Sequence, residues 1–307
     1  MGLNHIICLM GPTASGKTKL AIELAQNFPC EIISVDSGMI YRGMDIGTAK
    51  PTSEELTITP HHLINILDPS DSYSVAQFRV DALQIINEIL GRGKIPLLVG
   101  GTMLYFKVLQ NGISKLPSAN LDVRAKLEKE IEDFGLRALY ERLLVIDPIT
   151  AQRIDLNDTQ RIQRALEVYE LSGKTMSEWF SENVVQPLQY KILNLIIAPA
   201  QRYILREKIA KRLEMMFRCG FISEVEKLYT RGDLHKDLPS MRAVGYRQIW
   251  RYLAGELTYD AMYELIGIAT NQLAKRQLTW LRSWSDAEWF DSEGEELPEK
   301  ILRLINR

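Results

Sequence analysis

The sequence predicts an α/β protein, a parallel sheet flanked by helices and built around a phosphate-binding loop, with a helical insertion. Three observations carry this. Gly11-Pro12-Thr13-Ala14-Ser15-Gly16-Lys17-Thr18 matches the pattern G-x-x-x-x-G-K-[ST]. Apolar runs alternate with helical periodicity up to about residue 110. From about Leu116 to Gln189 helical spacing takes over, and a strand-like run returns only at Lys191–Ala198.

The elements follow in order. His5–Met10 is apolar and leads straight into the loop, so it reads as a strand, and Lys19–Ala25 reads as the helix behind it. Glycines let the loop backbone turn several N–H groups toward one anion, and the helix N-terminus adds partial positive charge. Lys17 supplies a full charge, and the Thr18 hydroxyl is placed to ligate magnesium. Glu31–Val35 is a second strand, ending in Asp36-Ser37-Gly38, and Ile95–Val99 a third, ending in Gly100-Gly101-Thr102. Between them Ser74–Leu90 reads as a helix closed by Gly91 and Gly93. Ligands of parallel sheets bind at the carboxyl ends of strands, so the loop, Asp36 and Thr102 are expected in one crevice.

The middle segment places Val123, Leu127 and Ile131 on one helix face and Leu136, Leu139 and Leu143 on another, with a further helix over Thr159–Leu171. Helices are predicted again over Tyr203–Phe217 and Tyr259–Trp284. The expected organisation is a core of residues 1–115 and 190–307 with an insertion over 116–189.

In 307 residues, Lys plus Arg total 37 against 39 Asp plus Glu, so global charge does not point to nucleic acid. Local charge does: cations gather in Arg202–Arg218, Arg242–Arg251 and Lys275–Arg282. No apolar run approaches the roughly 20 residues of a membrane helix. The short apolar run before the loop does not read as a signal peptide. Cys8, Cys30 and Cys219 are odd in number and widely spaced, which fits neither a disulfide framework nor a zinc site and suggests a reducing cytoplasm.

Asp36 ends a buried-looking strand beside the phosphate site, suited to a general base, a magnesium-associated carboxylate or a turn cap. The strand Ile95–Val99 ends in Gly-Gly-Thr, not in the Asp that NTP-hydrolysing phosphate-loop enzymes use to hold magnesium, which weakens ATPase and GTPase readings. Gln160 and Arg164, with Arg161, share a helix surface away from Ile162, a surface suited to phosphates and base edges or simply solvated. Arg242–Arg247 combines two arginines, a glycine turn and Tyr246, a ring that suits a stacked base. Lys275, Thr279 and Arg282 fall on one helix face next to Arg276. Lys208 and Arg212 are four apart, and either one is a candidate to reach the crevice. Asp133-Phe134-Gly135 lacks the companion motifs of protein kinases. His61-His62 are adjacent and make a poor metal pair, and no D-D-x-x-D run exists.

Together these residues resemble one family, the bacterial tRNA dimethylallyltransferases (tRNA isopentenyltransferases). The resemblance lies in G-P-T-A-S-G-K-T at Gly11–Thr18, D-S-G-M-I-Y-R-G-M-D-I-G-T-A-K-P at Asp36–Pro51 and P-L-L-V-G-G-T-M-L-Y at Pro96–Tyr105. It continues in Q-R-I-Q-R-A-L-E-V at Gln160–Val168, D-L-P-S-M-R-A-V-G-Y-R-Q at Asp237–Gln248 and K-R-Q-L-T-W-L-R at Lys275–Arg282. Met39 departs from the glutamine that many members carry, which bears on one hydrogen bond to the target base and not on the activity.

The resemblance implies a P-loop NTPase-like core and transfer of a dimethylallyl group from its diphosphate. The acceptor is the exocyclic amine of the adenosine immediately 3′ of the anticodon, in tRNAs reading codons that begin with uridine. It implies Asp36 as proton acceptor, and Thr13, Lys17, Thr18 and Arg212 with magnesium as stabilisers of the leaving diphosphate. The phosphate loop Gly11, Pro12, Thr13, Ala14, Ser15, Gly16, Lys17 and Thr18 would grip the donor.

Contacts to tRNA are implied for Asp36, Ser37, Gly38, Met39, Thr102 and Arg124, and for Gln160, Arg161, Ile162, Gln163 and Arg164, with the insertion clamping the anticodon stem. They are implied further for Arg242, Ala243, Val244, Gly245, Tyr246 and Arg247, and for Lys275, Arg276, Gln277, Leu278, Thr279, Trp280, Leu281 and Arg282. The expected partners are tRNA and dimethylallyl diphosphate, with a monomeric chain and no membrane. Two alternatives remain: a small-molecule kinase, which would turn over ATP and ignore RNA, and a non-catalytic RNA-binding module. The loop by itself does not distinguish ATP from a prenyl diphosphate.

Overall fold

The computed structural model describes residues 5–182 and 188–305 and forms two compact units, one of residues 1–110 and 188–307 and one of residues 111–187. In the larger unit, strands β1 (His5–Met10), β2 (Cys30–Val35), β3 (His61–His62), β4 (Ile95–Gly100), β5 (Lys191–Ala198) and β6 (Glu288–Asp291) form one sheet in the order β3-β2-β4-β1-β5-β6. Every pairing is parallel. The four long strands are apolar on both faces, as expected of a parallel sheet covered by helices on each side. Ile6, Cys8, Met10, Ile33 and Leu98 face one core with the helices Val75–Gly91 and Met103–Asn111. Ile7, Leu9, Ile32 and Leu97 face another with Lys17–Asn27 and Leu297–Ile305.

Chain order sets where the site lies. From β1 the chain skips a position to reach β2, and β4 later fills the gap, so β1 has β4 on one side and β5 on the other. Met10 and Val35 both pair with Gly100, which brings the carboxyl ends of β1, β2 and β4 to one level. Gly100 is required there, because a Cβ on it would lie 2.0 Å from the Val35 carbonyl oxygen.

A third core in the larger unit joins Ile40, Tyr41 and Met44, which follow β2, to the helices Arg202–Arg218, Phe221–Tyr229, Tyr246–Leu253 and Tyr259–Leu281. The predicted long helix from Tyr259 ends at Leu281, not Trp284; the chain turns there, with Ser283 N–H donating to Trp280 O and Trp284 N–H to Leu281 O. Sequence patterning does not reveal β3 and β6: one is a two-residue pair of histidines and the other is a largely exposed Glu-Trp-Phe-Asp.

The smaller unit is helical, chiefly Leu121–Phe134, Leu136–Ile146 and Thr159–Ser172, around Leu127, Leu139, Leu143, Ile162 and Leu166. Its core includes a charge. Glu167 is wholly buried; its carboxylate accepts from Arg124 Nε at 2.9 Å, Arg164 NH1 at 2.6 Å and the Asn120 N–H at 2.8 Å. Arg164 also donates to the Pro117 carbonyl at 2.6 Å. Burial alone would raise the carboxyl's pKa, and the two arginines and the backbone N–H outweigh it and hold it below its ordinary value.

Removing one partner of a buried charged network leaves the others unpaired. Glu167→Ala should destabilise residues 111–187 by about 3 kcal/mol. Hydrogen exchange should then quicken in Leu121–Phe134 and Thr159–Ser172 and stay unchanged in β1 and β4.

Candidate active site

A cavity of about 540 Å³ opens at the carboxyl ends of β1, β2 and β4. Its walls include Thr13, Lys17 and Thr18 from the phosphate loop, Asp36–Met39 after β2, Gly101 and Thr102 after β4, and Arg212, Arg276 and Trp280 from the C-terminal helices. The expected convergence of loop, Asp36 and Thr102 is therefore observed. One intervening strand, β4, separates the backbone that carries Asp36 from the backbone that carries the loop, about 10 Å between β2 and β1.

The phosphate loop is packed from three sides. A Cβ on Gly11 would lie 2.3 Å from the Ile197 carbonyl of β5, and Gly16 takes φ +88° at the helix start. Ala14, also left-handed at φ +62°, packs against Leu205, Ile209, Ala274 and Leu278. Lys17 folds back, with Nζ donating to the Pro12 carbonyl at 2.7 Å. Burial and the nearby Arg212 bring its pKa down to about 7, Asp36 opposing them. Arg212 is likewise lowered by burial and partly held up by Asp36. Of the two cations considered from sequence, Arg212 faces the cavity and Lys208 pairs with Glu293. Two closely placed cations in a desolvated cleft form an anion site.

Asp36 Oδ1 accepts from the Gly38 N–H at 2.8 Å and the Met39 N–H at 3.2 Å, an Asx turn that fixes the carboxylate. Among the described residues, Oδ2 accepts no hydrogen bond. The Ser37 N–H donates to Thr102 Oγ1 at 3.1 Å, tying the β2 loop to the β4 loop. Met39 reaches back to Ser34, whose hydroxyl lies 3.8 Å from Sδ.

Glu224 is a functional residue that pattern reading missed. Its carboxylate accepts from the N–H groups of Asp45, Ile46 and Gly47 at 2.9, 2.7 and 3.1 Å and from the Tyr246 hydroxyl. It thereby pins the segment that continues as Thr48, Ala49 and Pro51 along the cavity wall. A lone glutamate in an amphipathic helix gives no signal of this in sequence. Gln277, for which the resemblance implies a tRNA contact, is largely buried on the cavity wall, with Oε1 accepting from the Thr13 N–H and Nε2 donating to the Gly101 carbonyl, each at 2.8 Å.

The remaining sequence-predicted residues divide by exposure. Arg242, Arg247, Lys275, Arg276, Thr279 and Arg282 are exposed in the larger unit, and Arg124, Gln160 and Arg161 in the smaller one. Ala243, Val244, Leu278, Trp280 and Gln163 are half-buried. Tyr246 is a correction: its ring has no exposed surface, packs edge-on against Phe221 at 5.1 Å and spends its hydroxyl on Glu224, so it cannot serve as a stacking platform. Gly245, Ile162 and Leu281 are also buried and support their segments from within.

Magnesium fits this site only as a shared ligand. Thr18 offers a hydroxyl on the cavity wall, and among the described residues no three His, Cys, Asp or Glu side chains are grouped to hold a metal. Magnesium commonly binds through few protein ligands and substrate phosphates, which suits this donor set. Among the described residues no helix is long and apolar enough to cross a membrane.

Comparison with known proteins agrees with this geometry. A model described as IPP transferase matches residues 39–284, and one described as isopentenyl transferase matches residues 4–66. A Coxiella burnetii (strain Dugway 5J108-111) protein named tRNA dimethylallyltransferase is 55% identical over 300 residues, covering 98% of this chain and 96% of its own. The crystal structure of the Bacillus halodurans tRNA isopentenylpyrophosphate transferase superposes with a TM-score of 0.72 at 38% identity, covering 99% of this chain and 95% of that one. A eukaryotic dimethylallyltransferase crystallised acting on tRNA superposes with a TM-score of 0.83 at 27% identity, over 99% of this chain and 79% of that one. With a family match across most of its length and a relative 55% identical over nearly all of it, this chain belongs to the IPP transferase family.

Proposed function

We infer that this enzyme is a tRNA dimethylallyltransferase, moving a dimethylallyl group from its diphosphate to the exocyclic amine of the adenosine immediately 3′ of the anticodon. The observation that carries this is a phosphate loop facing, across one cavity, a turn-locked carboxylate with an unengaged oxygen. The relatives' names support the reaction class and the RNA substrate. The kinase alternative is not favoured, because the relatives are named for prenyl transfer to tRNA and not for phosphoryl transfer.

The chemistry balances with these residues. The amine nitrogen forms a bond to C1 of the dimethylallyl group, and the C1–O bond to the diphosphate breaks. The bonding pair leaves with the diphosphate, and the amine proton passes to Asp36. Thr13, Lys17, Thr18 and Arg212 line the side where negative charge grows, which lowers the barrier by electrostatic stabilisation of the leaving group. A magnesium ion held by Thr18 and the diphosphate would neutralise further charge. Because base edges are inaccessible in a stack, the adenosine enters the cavity flipped out.

Exposed Arg242, Arg247, Lys275, Arg276 and Arg282 supply positive charge for RNA on the larger unit, and Arg124, Arg161 and half-buried Arg164, with Gln160, do so on residues 111–187. Such contacts position RNA more than they read it. Selectivity for tRNAs reading codons that begin with uridine, a monomeric state and a cytoplasmic location belong to the same reading; the buried free thiols of Cys8 and Cys30 suit a reducing compartment. ATP would compete for the same loop without being needed for transfer.

Two outcomes are expected. Incubation with magnesium, dimethylallyl diphosphate and an anticodon stem-loop should add one dimethylallyl group to the RNA by mass spectrometry. Asp36→Ala should slow that by about 10²–10⁴-fold, the usual range for losing a general base. ATP turnover without any RNA mass shift would instead establish the kinase.

Lys17, at about 7 in the empty site, is largely neutral at pH 8 and must regain its proton when a diphosphate arrives. Calorimetry in buffers of differing ionisation heat should record about one proton taken up per pyrophosphate at pH 8 and about none in Lys17→Met. Affinity should therefore fall as pH rises above 7, and an uptake that persists in the variant would assign the proton elsewhere.

Arg164→Ala should weaken stem-loop binding more than pyrophosphate binding. Equal losses in parallel titrations would remove its RNA role and leave only its bonds to Glu167 and Pro117.

A further inference from the structure

We propose that Gln277 is a positioning residue of the donor site: its side-chain amide locks the phosphate loop to the loop after β4 and so sets the geometry in which the diphosphate is held. The inference rests on the prenyl-transfer reading only for the identity of the donor; the anion site itself stands on the geometry.

Gln277 lies in the helix Tyr259–Leu281 and is 9% exposed. The Thr13 N–H donates to its Oε1 and its Nε2 donates to the Gly101 carbonyl, each at 2.8 Å. The backbone groups fix which way the amide points, since Thr13 offers only a donor and Gly101 only an acceptor there. Thr13 and Gly101 each lie just beyond the end of a strand, β1 and β4, and sheet hydrogen bonding does not reach the two groups that Gln277 joins. Gly101 is fitted to this contact, because a Cβ on it would lie 2.5 Å from Nε2.

The same helix covers the loop a second time. Ala274 and Leu278, on either side of Gln277 along the helix, pack with Leu205 and Ile209 on Ala14. A phosphate loop works by aiming several N–H groups at one anion. The Thr13 N–H is taken by Gln277, so this contact contributes orientation of the loop, not a bond to the ligand. Only a neutral amide both accepts from Thr13 and donates to Gly101 at this length; glutamate lacks the donor and leucine lacks both. The exposed neighbours Lys275, Arg276, Thr279 and Arg282 remain available for RNA, so one helix carries an outward RNA face and an inward anchor for the donor loop.

The test compares full-length wild type, Gln277→Leu and Gln277→Glu. Inorganic pyrophosphate with magnesium probes the anion site by titration, an unmodified stem-loop probes RNA binding without donor, and steady-state kinetics separate the two KM values from kcat. Gln277→Leu should weaken pyrophosphate about tenfold or more and raise the KM for dimethylallyl diphosphate in parallel, as expected when buried backbone groups lose their partner. Stem-loop affinity should stay within about twofold, since no exposed cation is altered. Gln277→Glu, which when ionised keeps the acceptor for Thr13 and lacks the donor for Gly101, should also weaken pyrophosphate, with the loss growing as pH rises and the carboxyl ionises.

Loss of stem-loop binding with pyrophosphate affinity intact would overturn the proposal, as would a lower thermal midpoint with pyrophosphate affinity unchanged. If Gln277→Leu does not fold, Gln277→Met, of similar length and lacking both groups, decides in its place: wild-type pyrophosphate affinity in that variant rejects the role. Absence of prenyl transfer by wild type would sink the functional reading and leave the pyrophosphate comparison valid.

Discussion

The constraint on which everything else depends is the common end of three parallel strands. Met10, Gly100 and Val35 stand in register across β1, β4 and β2, and the close approach of Gly100 to Val35 admits no side chain. Because the strands stop together, the three segments that follow them begin at the same level, and each contributes a different function. The first is a coil of backbone donors with Lys17, the second a carboxylate, the third a hydroxyl that ties the second in place. A one-residue slip of β4 that put Val99 in the place of Gly100 would bring a Cβ into the Val35 carbonyl, and a slip either way would turn Thr102 away from Ser37.

Loops held only at their strand ends would wander, and this protein holds them with side chains from elsewhere in the chain. Gln277 secures the phosphate loop, Glu224 the stretch after β2, and Thr102 the Asp36 turn. Each acts chiefly on backbone groups, which fixes the course of the chain along the cavity wall. In the smaller unit Glu167 plays the same part for arginines, holding Arg124 and Arg164 in fixed positions. Preorganisation of this kind lets charges act on a transition state without first having to be gathered.

Much of this was legible in the sequence because the chemistry is local. The phosphate loop needs its residues at fixed spacing, buried parallel strands need continuous apolar runs, and helices closed by glycine announce their ends, as at Gly173. The crevice itself followed from topology, since Asp36 and Thr102 both end strands. What stayed hidden depends on contacts between residues far apart in the chain. Gln277 and Thr13 are separated by 264 positions, and Glu224 and Asp45 by 179, so no pattern within a window connects them. Tyr246 misled for a related reason: an aromatic between arginines suits RNA until its helix turns it into the third core. Strands β3 and β6 escaped because their side chains are polar or exposed, leaving backbone pairing without a hydrophobic signature.

The nearness of Lys17 to Arg212 has a consequence for the end of the catalytic cycle. Desolvation first, and the charge of Arg212 second, drive Lys17 toward neutrality. Any anion of the right size offsets both, and the departing diphosphate does so as well as the donor does. A cleft shaped to draw charge off a breaking bond is by the same physics a trap for the spent product. Turnover then depends on how readily water, hydrolysis of free diphosphate elsewhere or a fresh donor empties it.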